Sequence, residues 1–276
     1  MQQSLKFINF FVKSCLNSKK ELEMEFDFLS YLVFFVAAFL GGFIDSIAGG
    51  GGLITLPAIM AMGVPPHLAL GTNKLQGSFG SFTATLNFAK KGMINFKEAG
   101  LGIVFTFIGA CVGAVLILFL NPDFLRLVIP FLLIAIFVYT IFMPKVGESD
   151  RRARMDKRIF YVVFGMILGF YDGFFGPGAG SFWTFAMIAL IGVNMKKAVA
   201  HTKLLNFTSN VVSLGVFIIG GQVLWLVGIL MGAGQIFGAY IGSNLVIKKE
   251  VKFIRAMFLT VVAATILKLI YDYFAK

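Results

Sequence analysis

The chain has 276 residues, 58% of them hydrophobic and 13% charged, with a formal net charge of +11. A soluble domain carries roughly 25% charged residues, so this composition and a mean hydropathy of +0.89 leave no room for one: the chain works in a bilayer. The positive charge sits mostly in loops, where it orients spans, and no basic patch with interleaved aromatics stands apart from them to bind nucleic acid.

In chain order, residues 1–27 form a tail, amphipathic or disordered. Phe7, Ile8, Phe10, Phe11 and Val12 lie between Lys6 and Lys13 in a stretch too short to span. Met24 offers a second start just before the first apolar run. A span needs roughly 20 apolar residues, and 10 to 14 indicate a re-entrant or broken element. On that rule Phe28 to Ala48 spans and carries Asp45, and Gly49 to Gly52 break it. Leu53 to Met62 is short, and Gly63, Pro65 and Pro66 break the chain again. His67 to Ala89 is long and carries Lys74, and Ala99 to Leu120 is long and uncharged. Leu127 to Met143 follows, with Pro130 as an expected kink. His67, at a helix start after Pro66, is expected at the interface.

Residues 144–158 form a basic linker, and the order then repeats. Ile159 to Phe175 carries Asp172; Gly176, Pro177, Gly178 and Gly180 break it. Ser181 to Ile191 is short, and Gly192 and Asn194 break again. Ala198 to Ile219 carries His201 and Lys203, Val223 to Ile247 is long and uncharged, and Ala256 to Tyr271 ends the second repeat (residues 159–273), with Lys268 near enough to the end to snorkel. Gly63 and Gly192, Lys74 and Lys203, Gly109 and Gly238, and Gly113 and Gly242 are each 129 residues apart. The fold expected is therefore an all-α integral membrane protein of two repeats, residues 28–143 and 159–273, with about five helical segments each.

Basic residues set the orientation. The linker, the loop marked by Lys90, Lys91 and Lys97, and the loop marked by Lys248, Lys249 and Lys252 are expected inside. The Lys74 helix then runs outward to inward and the Lys203 helix the reverse, so the repeats are inverted, and both termini fall outside. The G-x-x-x-G pairs Gly109–Gly113, Gly228–Gly232, Gly234–Gly238 and Gly238–Gly242 predict close helix contact within the chain, with a homodimer face as the alternative.

Four charges lie in apolar segments: Asp45, Lys74, Asp172 and Lys203. Each costs roughly 2.5–3.5 kcal/mol to insert, and such residues usually face a cavity or pair with one another. The bland reading is a structural Asp–Lys bridge in each half. The functional reading has the lysines hold an anion while the aspartates balance charge or carry protons. Gly51 and Gly52 open the first short helix, and Gly178, Gly180 and Ser181 open the second; helix N-termini with free N–H groups receive anions. Thr72, Asn73, Lys74 and Gln76 give one polar edge, continued by Ser78. In the second half Lys203, Asn206 and Asn210 share one face, and Thr202, Asn206, Ser209 and Ser213 the next. These side chains are donors suited to oxyanions, or bond helix to helix. His201 is neutral and buried by default, with proton coupling as its alternative. Cys15 and Cys111 have no partners at metal spacing, and no metal site, cofactor motif or catalytic dyad is readable.

The stretches Gly41 to Ala58, Gly63 to Leu75, Gly169 to Phe182 and Ala200 to Asn210 resemble the sulfite exporter (TauE/SafE-type) family of membrane permeases. The resemblance covers Phe28 to Tyr271 and implies transport of small sulfur-containing anions, sulfite or organosulfonates, across a bacterial inner membrane. It implies Gly71 to Lys74, with Thr202, Lys203 and Asn206, as the core of the motif. His201 departs from it, standing where a small residue is expected. Two other readings remain: a permease for a cation or zwitterion using Asp45 and Asp172, and a non-transporting membrane assembly protein.

Overall fold

The computed structural model describes residues 26–141 and 149–249. The amphipathic tail with Cys15, Met143 and the expected last segment Ala256 to Tyr271 lie outside the described residues. What is described is helical, in nine α-helices: α1 (Phe28–Ala48), α2 (Gly52–Ala61), α3 (Pro66–Lys90), α4 (Phe96–Leu118), α5 (Pro122–Ile141), α6 (Lys157–Phe174), α7 (Ala179–Ala186), α8 (Met195–Ile219) and α9 (Trp225–Lys248). A π-helical turn, Met187–Ile191, extends α7. Four of these, α1, α4, α8 and α9, are long and apolar enough to cross a membrane by length and composition.

Local chemistry sets the boundaries. Asp27, Asn95, Asp156 and Asn194 each accept a hydrogen bond from the first turn they precede, capping α1, α4, α6 and α8. Pro66 opens α3 at a position where its missing N–H costs nothing. The fifth segment starts at Pro122, five residues before the expected Leu127, because the apolar run omits the polar first turn. Asp150 accepts from the Lys197 ammonium at 2.6 Å and from the Asn194 backbone, which ties the linker to the start of α8 and lowers its carboxyl below the usual range.

The repeat is legible in the backbone. Gly49 and Gly178, Gly63 and Gly192, and Gly92 and Gly221 are pairs 129 residues apart, and all six have positive φ, between 66° and 82°. Helix α8 begins and ends 129 residues after α3. Ser81 and Asn210, themselves a repeat pair, hydrogen-bond to each other at 3.4 Å, which places them across the axis relating the halves.

Contact register gives the directions. A Cβ on Gly71 would meet Phe217, one on Gly77 would meet Asn210, and Phe82 packs on Phe207. Positions rise in α3 as they fall in α8, so these helices are antiparallel. Gly234, Gly238 and Gly242 of α9 lie on the Phe35, Phe39 and Phe43 carbonyls of α1 in parallel register. Gly109 and Gly113 of α4 lie on Met166 and Phe170 of α6 in the same way. In the first repeat α1 and α3 share one direction and α4 opposes it; in the second, α6 and α8 share the opposite direction and α9 reverses it. The repeats are inverted, as the charge pattern predicts, and each lends its first helix to the other's fourth. The glycine faces are therefore filled within the chain. Large apolar side chains such as Phe107, Val112, Leu226 and Phe237 point outward, more than half exposed, as a lipid-facing belt requires.

The same register gathers the basic helix ends. Lys157 pairs with Glu98 at 2.9 Å, and Lys196 donates to the Ile247 carbonyl at 3.2 Å. Lys90 and Lys248, in the last turns of α3 and α9, lie at this end too. His67 is 9% exposed, with its ring Nε2 3.0 Å from the Ile117 carbonyl of α4. A ring at the start of α3 meets a carbonyl in the last turn of its antiparallel neighbour.

Candidate functional site

The two glycine breaks meet. A Cβ on Gly49 would fall 2.3 Å from the Gly180 carbonyl carbon, and Ser181 donates its hydroxyl to the Gly49 carbonyl at 2.8 Å. Only glycine backbones approach this closely. The N-terminal ends of α2 and α7 thereby converge at the centre, where they and the flanks of α3 and α8 enclose a cavity of about 40 Å³. Ser181→Ala is expected to leave the Gly49 carbonyl without this partner and cost about 1 kcal/mol, read as a lowered unfolding temperature in detergent.

All four membrane charges gather here. Lys74 pairs with Asp172 at 2.6 Å, and Lys203 with Asp45 at 2.7 Å. The bridges run between the halves rather than one within each, which corrects the pairing expected from sequence. The reason is the exchange of first helices: α1 and α6, which carry the aspartates, each pack on the opposite repeat. The pairs also differ. Lys74 and Asp172 are 2% and 5% exposed at their side chains, and Lys74 also donates to the Asp172 backbone carbonyl. Asp172 takes a further hydrogen bond from the Ser209 hydroxyl. Lys203 is 0% exposed, while Asp45 is 22% exposed and turns its other oxygen to the Gly50 and Gly51 N–H groups at 3.1 and 3.3 Å.

Of the residues singled out from sequence, Asp45, Gly51, Gly52, Asn73, Lys74, Asp172, Gly178, Gly180 and Asn206 line the cavity. Lys203 reaches it through Asp45. The Asn73 amide oxygen accepts from the Thr55 hydroxyl at 2.6 Å and the Gln76 amide at 2.8 Å. Those two bonds fix the amide so that its nitrogen is left for the cavity. Thr72, Thr202 and His201 are placed elsewhere. The Thr72 hydroxyl accepts from the Leu224 N–H at 3.0 Å and ties α3 to the start of α9. Thr202 lies 3.2 Å from the Thr184 hydroxyl, the repeat counterpart of the Asn73–Thr55 pair. The His201 ring bridges the Lys197 carbonyl and the Asn95 N–H, at 2.9 and 3.2 Å, which holds α8 to the start of α4.

Sequence reasoning did not single out Gln235. It lines the cavity from α9, in a slot made by Gly41, Gly42 and Gly80. A Cβ on Gly80 would stand 2.1 Å from its amide oxygen. The available signal was an amide set between two glycines, Gly234 and Gly238, in a mostly apolar span. Thr55, seated in the first short helix beside Pro57, was also missed.

The family model described as "Sulfite exporter TauE/SafE" matches residues 34–269. The chain belongs to the sulfite exporter TauE/SafE family. It is 49% identical over 240 residues to "Probable membrane transporter protein YfcA" of Escherichia coli K12, covering 87% of this chain and 89% of that one. It is 46% identical over 250 residues to "Probable membrane transporter protein ORF9" of Sinorhizobium sp, covering 91% and 95%. It is 42% identical over 251 residues to a "Probable membrane transporter protein" of Haemophilus influenzae, covering 91% and 98%. No solved structure matches the chain. The TauE/SafE match and these relatives make it a multi-pass membrane transporter rather than an enzyme, and give the polar cavity a transport setting.

Proposed function

We propose that the chain is a permease for a small sulfur-containing anion, sulfite or an organosulfonate, in a bacterial inner membrane. The observation that carries this reading is the meeting of two broken-helix N-termini at one cavity, which the buried Lys74 lines and the buried Lys203 reaches through Asp45. Helix N-termini offer backbone N–H groups and a partial positive charge, and buried charges in spans mark substrate pathways. The sulfur chemistry comes from the family description and from the motif, and the cavity is small enough to favour a compact oxyanion.

Transport proceeds by alternating access, with the inverted repeats rocking about the axis at Ser81 and Asn210. With two lysines and two aspartates the cavity is formally neutral, so an incoming anion leaves one uncompensated negative charge. A proton on Asp45 or Asp172 cancels that charge and travels with the anion, so export runs down the substrate's own gradient and an inward proton gradient favours uptake. Buried ion pairs hold only while geometry and partners are complete, so moving one repeat against the other breaks and remakes the cross-bridges.

Uptake of labelled sulfite, sulfate, taurine and a monovalent organic cation into proteoliposomes tests this. Saturable flux of sulfite or taurine, accelerated by a transmembrane proton gradient, is expected. Flux of the cation alone would sink the anion reading and favour the aspartates as the binding groups. That second reading has one observation in its favour: Asp45 is the most exposed of the four charges.

A further inference from the structure

We propose that the Asp45 carboxylate occupies the anion-binding seat, and that the transported anion displaces it and takes over Lys203 and the Gly50 and Gly51 N–H groups. This rests on the anion-permease reading and deepens it, since it assigns the seat to one lysine and names Gly50 as a further binding residue.

Asp45 is held through both of its carboxylate oxygens. One of its oxygens accepts from two consecutive backbone N–H groups and the other from an ammonium. The N–H groups open α2, so they point away from any helical partner. A fully buried ammonium, two free N–H groups and a helix N-terminus are the parts of an oxyanion receptor, and the chain fills them with its own carboxylate. Gly50 has φ +118°, a conformation side chains rarely adopt, and it is this turn that aims its N–H inward.

The second aspartate is held differently. Asp172 is bound by side chains, Lys74 and Ser209, and is nearly sealed. Asp45 alone combines exposure to the cavity with partners that an anion can take over. The lysines are therefore unequal: Lys203 coordinates the anion, and Lys74 locks α3 to α6. A tethered carboxylate competes at an effective concentration of about millimolar or more, which keeps the seat from trapping its substrate. The seat spans two oxygens, one for the N–H pair and one for the ammonium. It therefore accepts sulfite, sulfonates and small carboxylates, and it disfavours chloride, a single atom that cannot reach both.

Calorimetric titration of the purified full chain with sulfite, acetate and chloride tests the proposal in the parent, Asp45→Asn and Asp45→Asn/Lys203→Gln. Asparagine keeps the shape and loses the charge, so sulfite is expected to bind Asp45→Asn at least tenfold more tightly than the parent. The double variant is expected to lose that gain, and chloride to bind weakest throughout. Sulfite binding to the parent with no gain in Asp45→Asn would overturn the placeholder and leave the permease reading intact. Binding to neither would overturn the permease reading itself. Should Asp45→Asn fail to fold, infrared difference spectra of the parent labelled with ¹³C-aspartate decide the matter. A carboxylate band that shifts on adding sulfite supports displacement, and an unchanged spectrum overturns it.

Discussion

Lys74→Ala is expected to lower stability by about 3–5 kcal/mol, because it strands the Asp172 carboxylate, 5% exposed, without its ammonium. Removing both charges together, as Lys74→Met with Asp172→Leu, is expected to recover most of that loss, since apolar residues of similar volume often replace a buried pair at little cost. Ser209 keeps a partner in the double variant, because its hydroxyl can turn to the Asn206 carbonyl, 3.0 Å away. The same operation at Lys203 is expected to cost less, because Asp45 is 22% exposed and keeps the Gly50 and Gly51 N–H groups. Thermal unfolding in detergent reads all three. A double variant as unstable as Lys74→Ala would mean that the pair is not what ties α3 to α6.

The second large effect lies far from any charge. A Cβ on Gly238 would stand 2.0 Å from the Phe39 carbonyl oxygen, and one on Gly242 2.4 Å from that of Phe43. Backbone cannot yield as a side-chain tip can, so Gly238→Ala must push α9 off α1. Overpacking of this kind costs about 1–3 kcal/mol, and here it also splits the repeats, because α1 and α9 belong to opposite halves. Gly215 is the control. It lies in α8 with nothing near its missing Cβ, so alanine there is expected to stabilise by about 0.5–1 kcal/mol. Opposite signs at two helical glycines, measured as unfolding temperatures, are what close helix contact predicts. Equal, small effects would contradict it.

Much of the fold is written along the chain. The apolar lengths and glycine breaks give the long and short helices, and the 129-residue offset reappears in the backbone as matched positive-φ glycines. The four buried charges stand out because each is costly in an apolar segment. Which aspartate meets which lysine was not legible, because it depends on how two inverted halves interleave. Local spacing sets Asp45 and Lys74 in one half, and the exchange of α1 and α6 then separates them. Thr72 and Thr202 flank the lysine positions in sequence, yet successive residues on a helix face different ways, and both hydroxyls point at neighbouring elements. Gln235 was hidden for the opposite reason: one amide barely changes the hydropathy of a 24-residue helix.

The account turns on an anion crossing through the cross-bridged cavity. The most direct test is labelled sulfite flux into proteoliposomes for the parent and for Lys203→Gln/Asp45→Asn, which removes one ammonium and one carboxylate and leaves the net charge unchanged. The account predicts saturable flux in the parent and its loss in the double variant, with unfolding temperature held. Equal sulfite flux in both would contradict it and move the pathway away from the Lys203–Asp45 bridge.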